Sequence, residues 1–167
     1  YDIGFRVVST YDFSRSYFYK SAYSKDPSDA ETARPMQLSI WYPAETEKEA
    51  DRMVFGDYIN LLASELGKDK ISAAERRKAR ERLRQGPLNP YFSGRISDKK
   101  LQNVMDTPVP VVKNAEPVPG SFPLVIHAGF GLMGQSVLNE FLASHGYVVV
   151  SFPVLSTHPA WYNRGEG

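Results

Sequence analysis

Residues 122–152 read FPLVIHAGFGLMGQSVLNEFLASHGYVVVSF, and this stretch decides the fold. Its two ends, 122–126 and 147–152, are apolar at consecutive positions, which is typical of parallel strands buried on both faces. Between them, apolar side chains recur at helical spacing and predict a helix that ends at Gly146. The buried face of that helix is predicted to comprise Val137, Leu138, Phe141, Leu142 and His145. The stretch therefore predicts one right-handed strand–helix–strand unit with parallel strands, and the fold class α/β.

The composition is that of a globular domain. The chain has 167 residues with 20 basic and 19 acidic side chains, and 42% of its residues are hydrophobic. These values are not those of a disordered, collagen-like or nucleic-acid-wrapping chain. There is no cysteine, which excludes disulfides, thiolate metal sites and a cysteine nucleophile. No apolar run approaches the roughly 20 residues that cross a bilayer, so no membrane span is predicted.

The chain opens on Tyr1 rather than Met, so we expect a leading segment to precede it. The absence of cysteine is compatible with export as well as with the cytosol. We favour an exported protein, periplasmic or secreted.

Two further strands, at 4–11 and 36–42, are predicted to pair antiparallel across a polar loop. Parallel strands buried on both faces need helices on both sides and further strands beside them. Few residues follow the strand at 147–152. We therefore expect an incomplete sheet, whose remaining strands lie in a C-terminal part of the same domain.

Two helices are predicted between these strand regions. One spans 55–66 and the other 72–85, where Ser72 and Glu75 have the spacing of a capping box. Pro, Asn and Gly are frequent between 88 and 120, which predicts an extended surface connection with little regular structure.

Residues 129–134, GFGLMG, match the dinucleotide-binding pattern G-x-G-x-x-G between a strand and a helix. The acidic residue expected about 20 positions later is missing, because the next strand ends in Ser151, Phe152 and Pro153. We therefore favour a simple glycine-rich turn. A nucleotide-binding module that uses Gly129 to Gly134 is the alternative.

Ser136 lies in a partial nucleophile elbow, GQSVL, which lacks the second glycine of G-x-S-x-G. We favour a helix N-cap for this serine. Among the histidines, His127 ends a strand, His145 lies at a helix C-terminus, and His158 follows the last strand, where it is a candidate pocket-lining residue. No two of them show metal-ligand spacing with a carboxylate, so no metal site is predicted.

Residues 68–84 contain eight basic and three acidic side chains. The pairs Glu75/Lys78, Arg77/Glu81 and Glu81/Arg84 are spaced for ion pairing along a helix surface. No aromatic residue is interleaved, so we favour a solvated helix face and predict no nucleic-acid partner.

Four segments together resemble the N-terminal half of an α/β-hydrolase. They are GFRVV followed by Tyr11 and Asp12, then RPMQLSIWYPA at 34–44, FPLVIHAGFG at 122–131 and LASHGYVVV at 142–150. The chain looks most like the platelet-activating-factor acetylhydrolase-like and dienelactone-hydrolase-like serine esterases. The last two segments are the most specific part of the resemblance.

The resemblance implies a Ser-His-Asp hydrolase of carboxylic esters of small or lipid-like alcohols, as in lipid degradation, with no cofactor. One oxyanion donor would be the backbone N–H of Phe130, in the loop Gly129-Phe130-Gly131, whose glycines let that N–H turn towards the substrate. The triad Ser, Asp and His would follow later, and none of them is in this chain.

Residues 1–167 would then form the N-terminal part of a single hydrolase domain, with 45–120 as a helical, cap-like insertion. The C-terminal half would be its partner, either in the same gene product or as a separate chain, and the present chain alone would be inactive. A non-catalytic half that folds only with a partner chain is a further alternative.

Overall fold

A computed structural model describes residues 1–12, 34–62, 72–85, 96–129 and 131–153. These residues form seven strands and four helices. In chain order they are β1 (Asp2–Asp12), β2 (Arg34–Glu45), β3 (Arg52–Val54), α1 (Phe55–Leu62), α2 (Ala73–Gln85), α3 (Asp98–Met105), β4 (Pro108–Lys113), β5 (Glu116–Pro117), β6 (Leu124–Gly129), α4 (Gly131–Ser144) and β7 (Val148–Pro153).

All seven strands belong to one mixed sheet with the order β3-β4-β1-β2-β7-β6, and β5 pairs with the end of β2. β1 and β2 are antiparallel, as predicted, and β2 is also antiparallel to β7. β6 and β7 are parallel and are connected through α4, as the strand–helix–strand pattern predicts. The predicted α/β class is confirmed.

The expectation of little regular structure between 88 and 120 is wrong. α3 begins after Ser97, whose hydroxyl accepts a hydrogen bond from the Lys100 N–H, and β4 runs parallel to β1. In β4 the valines Val109 and Val111 are buried while the prolines beside them are exposed. Proline is a strong turn signal in a sequence, and it hides the period-2 alternation that marks this strand.

The predicted capping box opens α2. The Ser72 N–H donates to the Glu75 carboxylate at 2.8 Å, and the Glu75 N–H donates to the Ser72 hydroxyl at 3.2 Å. Of the predicted ion pairs, Glu81 and Arg84 meet at 3.3 Å. α1 is described as far as Leu62, so the rest of the predicted helix at 63–66 lies outside the described residues.

The main core lies between one face of the sheet and the helices α1 and α4. Phe5 and Trp41 come from the central strands, and Tyr58 of α1 packs against both, with ring centroids 5.4 and 6.0 Å away. All three side chains are fully buried, and the Trp41 Nε1–H donates to the Tyr58 hydroxyl at 2.9 Å.

Segment 45–120 therefore contributes β3, β4 and β5 to the sheet and α1 to its core. A second core cluster, with Ile59, Leu83 and Leu101 among its members, joins α2 and α3 to α1. Of the described helices in this segment, α2 and α3 lie outside the main core, and the cap role stays a prediction.

The opposite face of the sheet has no helix on it within the described residues. Ile40, Val150 and Ile126 are in register across β2, β7 and β6 and point to this face, since their neighbours in sequence point to the core. On β6, at the edge of the sheet, Leu124 and Ile126 are 58% and 60% exposed. The predicted burial of the parallel strands on both faces is therefore not reached in the described structure.

Gly146 ends α4 as predicted. Its φ is +88°, its N–H donates to the carbonyl of Ala143, and the Tyr147 N–H donates to the carbonyl of Leu142. These two bonds form a Schellman motif, which needs a left-handed residue at this position.

Gly146→Ala is expected to destabilise the protein by about 1–2 kcal/mol, because a Cβ is disfavoured at positive φ. Gly146→Asn is expected to cost less, because asparagine tolerates this conformation. Urea denaturation of the three proteins measures the difference. Equal stability of the alanine and asparagine variants would contradict the assignment.

Candidate active site

The candidate site lies at the C-terminal ends of the parallel strands β6 and β7. Gly129 is the last residue of β6 and Gly131 is the first residue of α4, so the connection is one residue long. That residue, Phe130, lies outside the described residues, as does His158. The predicted oxyanion donor and the predicted pocket-lining histidine therefore stay predictions, while the glycines on either side of Phe130 lie at the sheet edge where open α/β sheets bind ligands.

The first turn of α4 is separated from the rest of the helix by a break. Gln135 has φ −143° and ψ 15°, which is not helical, and the helix resumes at Ser136. A cap residue has non-helical dihedral angles, so the break places the cap at Gln135, one residue before the predicted N-cap. Ser136 is buried, and its position inside the helix does not resemble a nucleophile elbow.

The prediction of which face of α4 is buried is also wrong. Ser136, Asn139, Glu140 and Ala143 are the buried residues, and they lie on one face at helical spacing. The apolar side chains that were expected to be buried point outward instead: Val137 is 76% exposed, Leu138 46% and Phe141 56%. Leu142 is partly buried against the core, and His145 is exposed. Helical periodicity shows that α4 has an apolar face and a polar face. It does not show which of the two packs against the sheet.

The buried face of α4 meets a row of polar side chains on the sheet. Ser39, Ser151 and His127 are in register on β2, β7 and β6. The His127 Nδ1 lies 2.7 Å from the Asn139 Oδ1 of α4, and because an amide oxygen only accepts, the Nδ1–H is the donor. Sequence reasoning placed His127 at the end of its strand but did not find this partner.

Three atoms of α4 in this polar layer lack a hydrogen-bond partner among the described residues. They are Gln135 Oε1, Asn139 Nδ2 and Glu140 Oε1, all buried. Buried polar groups are costly unless they are hydrogen-bonded, so this layer is the part of the core whose polar groups are least satisfied.

Glu140 adjoins the hydrogen-bonded pair of Trp41 and Tyr58. Burial raises the pKa of the Glu140 carboxyl above its ordinary value, and the hydrogen bond to Tyr58 offsets this only in part. Burial, followed by the nearby Glu140, raises the pKa of the Tyr58 hydroxyl as well. The acid and the phenol therefore both favour their neutral forms between α1 and α4.

The sheet topology bears on the nucleotide-binding alternative. In a dinucleotide-binding fold the strand after the glycine-rich helix is flanked by parallel strands. Here β7 has the antiparallel β2 on its other side, and β7 ends in Ser151, Phe152 and Pro153 without a carboxylate. Both observations disfavour nucleotide binding at Gly129 to Gly134.

Within the described residues, no group of three or more His, Asp or Glu side chains could hold a metal ion. None of the described helices is long and apolar enough to cross a membrane.

Comparison with known proteins adds information on the fold. No model of a known protein family matches the chain, and no curated protein matches it. Eight chains of solved structures do match. One is a ferulic acid esterase from Streptomyces cinnamoneus, with a TM-score of 0.50 and 22% sequence identity over 90% of this chain. The fold is hydrolase-like.

The matched part is only 32% of the ferulic acid esterase chain, so the present chain spans about a third of that protein. At this identity the likeness concerns the hydrolase-like fold alone. The particular esterase family that the sequence resembles is not distinguished by it.

The raised pKa of Glu140 predicts a pH dependence of stability. A carboxyl whose pKa is higher in the folded state than in the unfolded state stabilises the fold below its ordinary value of 4.5, and this contribution is lost as the pH rises through the folded-state value. The contribution of Glu140 to the free energy of unfolding is therefore expected to fall as the pH rises above 4.5.

Glu140→Gln removes the titratable carboxyl and is expected to flatten the pH dependence of the free energy of unfolding. The variant should therefore become more stable relative to the wild type as the pH rises. Glu49→Gln, at an exposed position, is the matched control and should leave the slope unchanged. Denaturant titrations between pH 4 and pH 9 compare the three proteins. Parallel pH profiles for the wild type and Glu140→Gln would refute the expectation.

Proposed function

We propose that the chain is the N-terminal portion of a serine carboxylic-ester hydrolase. The observation that carries the proposal is the hydrolase-like fold, together with the glycine-flanked, one-residue connection between β6 and α4. This connection lies at the edge of the sheet where a substrate would bind. The substrates are esters of small or lipid-like alcohols, and the structural neighbour, a ferulic acid esterase, adds esters of that aromatic acid to the candidates.

In the proposed mechanism this chain supplies electrostatic stabilisation and not the nucleophile. A serine from the C-terminal part attacks the ester carbonyl, and a histidine oriented by an aspartate takes the serine proton. The negative charge that develops on the carbonyl oxygen is stabilised by the backbone N–H of Phe130, with a second donor from the residue after the nucleophile. Gly129 and Gly131 leave space for the oxygen to approach that N–H.

The need for a C-terminal part is supported by the apolar surface on both sides of the sheet. On one side, Leu124 and Ile126 of the edge strand are exposed. On the other, Val137 and Phe141 project outward from α4. Soluble proteins rarely leave contiguous apolar patches uncovered. Strands paired to β6, with helices on both sides of them, would bury all of these side chains and complete the domain.

The chain alone is therefore expected to bind a hydrophobic dye such as 1-anilinonaphthalene-8-sulfonate, because its apolar faces are open. Leu124→Gln with Ile126→Gln should reduce the dye fluorescence. Co-expression with the downstream part of the gene should abolish it. A monomeric 167-residue chain that unfolds cooperatively and binds no dye would contradict the proposal of a missing part.

Substitution of Phe130 in the complete enzyme tests the oxyanion role. Phe130→Pro removes the N–H and is expected to lower turnover by about 10²- to 10³-fold, whereas Phe130→Leu keeps the N–H and is expected to change it only a few-fold. Turnover is measured with p-nitrophenyl acetate and with methyl ferulate, after near-ultraviolet circular dichroism has shown that both variants are folded.

Equal and mild effects of the two substitutions would mean that the oxyanion is stabilised by other residues. The second candidate function is that of a non-catalytic half that folds with a partner chain. The open apolar faces are equally consistent with it. It is favoured if the complex is folded and free of dye but hydrolyses neither ester.

A further inference from the structure

A groove of about 800 Å³ lies on the outer side of α1, between α1, α2 and α3. This volume is in the range of sites for small organic ligands. Among the described residues that line the groove are five basic side chains from two helices, and four of them, Arg76, Arg77, Arg80 and Lys99, are considered first.

A fifth basic side chain, Arg84, is already neutralised. It forms ion pairs with Glu81 on its own helix and with Asp98 at the start of α3. These contacts hold α2 against α3 at one end of the groove. By contrast, Arg80 hydrogen-bonds the side-chain oxygen of Gln102, which is uncharged. Arg80 therefore keeps its full positive charge in the groove.

The remaining carboxylates in the lining are fewer than the remaining cations. Asp57 accepts a hydrogen bond from the Val54 N–H at the start of α1, and Asp106 accepts one from Gln102. These two acids and the four basic residues named above carry a net charge of +2, and Arg84 with its two acidic partners carries −1, so the described lining has an excess of one positive charge. Guanidinium groups bind carboxylate and phosphate in two-pronged geometry, so a local excess of them favours an oxyanion.

Apolar side chains form part of the wall of the groove. Val54, which is partly exposed, lines it, and Leu101 and Met105 of α3 contact it only through the small part of their surface that stays exposed, 2% and 6%. A bare inorganic ion would contact the basic side chains but not this apolar part of the lining. An anion that carries a compact apolar group would contact both parts of the lining.

We propose that this groove binds a small organic anion, with its carboxylate or phosphate group on the arginines of α2 and its apolar body against α3. The groove is separate from the candidate active site. It adjoins Asp106, just before β4 begins at Pro108, and β4 runs parallel to β6 and β7. The groove therefore lies towards the end of the sheet opposite the connection between β6 and α4.

Isothermal titration calorimetry of the purified protein tests the proposal with four probes: phenyl phosphate, benzoate, inorganic phosphate and the uncharged benzyl alcohol. Phenyl phosphate or benzoate is expected to bind, and whichever binds more tightly identifies the charged group. Benzyl alcohol and inorganic phosphate are expected to bind at least about tenfold more weakly, because each lacks one half of the recognised chemistry. Raising the salt concentration should weaken binding of the anion.

Arg76→Gln with Arg80→Gln is expected to weaken that binding by at least about tenfold. Lys48→Gln with Lys78→Gln is the matched control, because it removes the same charge at exposed positions outside the groove and should leave binding unchanged. Arg76→Gln alone provides a second variant, at an exposed position, in case the loss of Arg80 disturbs packing against α3.

The proposal is overturned if no probe binds, if benzyl alcohol binds as well as the anions, or if the control variant loses as much affinity as the arginine variant. It does not depend on the proposed ester hydrolase. Loss of esterase activity in Phe130→Pro leaves this binding unchanged, and loss of anion binding leaves the oxyanion experiment unaffected.

Discussion

The packing of the polar face of α4 against the sheet determines much of the remaining structure. Burying an amide or a carboxyl without a partner costs about 1–3 kcal/mol, so each hydrogen bond that such a face makes favours its burial. His127 of the sheet provides one for Asn139, and the Tyr58 hydroxyl of α1 lies next to Glu140. Because one face of a helix is buried in this way, the other face, with Phe141, must point outward.

The same constraint explains why α1 belongs to the core and not to a cap. Tyr58 accepts a hydrogen bond from Trp41 of β2 and lies next to Glu140 of α4, so one α1 side chain joins the sheet to both helices that cover it. Its ring also packs edge-to-face against Phe5. Removing α1 would expose the Trp41 indole and leave its N–H without the Tyr58 partner.

Much of the fold follows from local sequence signals. The parallel β6 and β7, the helix between them and its end at Gly146 are predicted by consecutive apolar positions and one glycine. The start of α2 is predicted by the spacing of Ser72 and Glu75. The sequence does not predict β4, because its prolines are typical of turns and loops. Val109 and Val111 nevertheless alternate with these prolines, as in any half-buried strand.

The candidate site is less predictable, because its contacts join residues that are distant in sequence. The glycines at 129 and 131 are found by their position between a strand and a helix, and the structure places them at the sheet edge. The pairing of His127 with Asn139 depends on the rotation of α4 about its axis. Helical periodicity does not determine how α4 is rotated about its axis. The usual expectation that the apolar face is buried predicts the wrong rotation.

The two proposed sites use different parts of the molecule for a physical reason. The exposed apolar side chains described above lie on the edge strand β6 and on the outer side of α4. The layer formed by α2 and α3 lies on the outer side of α1, is held by its own core around Leu83 and by the Arg84 ion pairs, and presents charge to solvent. Strands added beside β6, as the proposed function requires, would bury that apolar surface and not the charged side chains of α2 and α3, so the two proposals are compatible with each other.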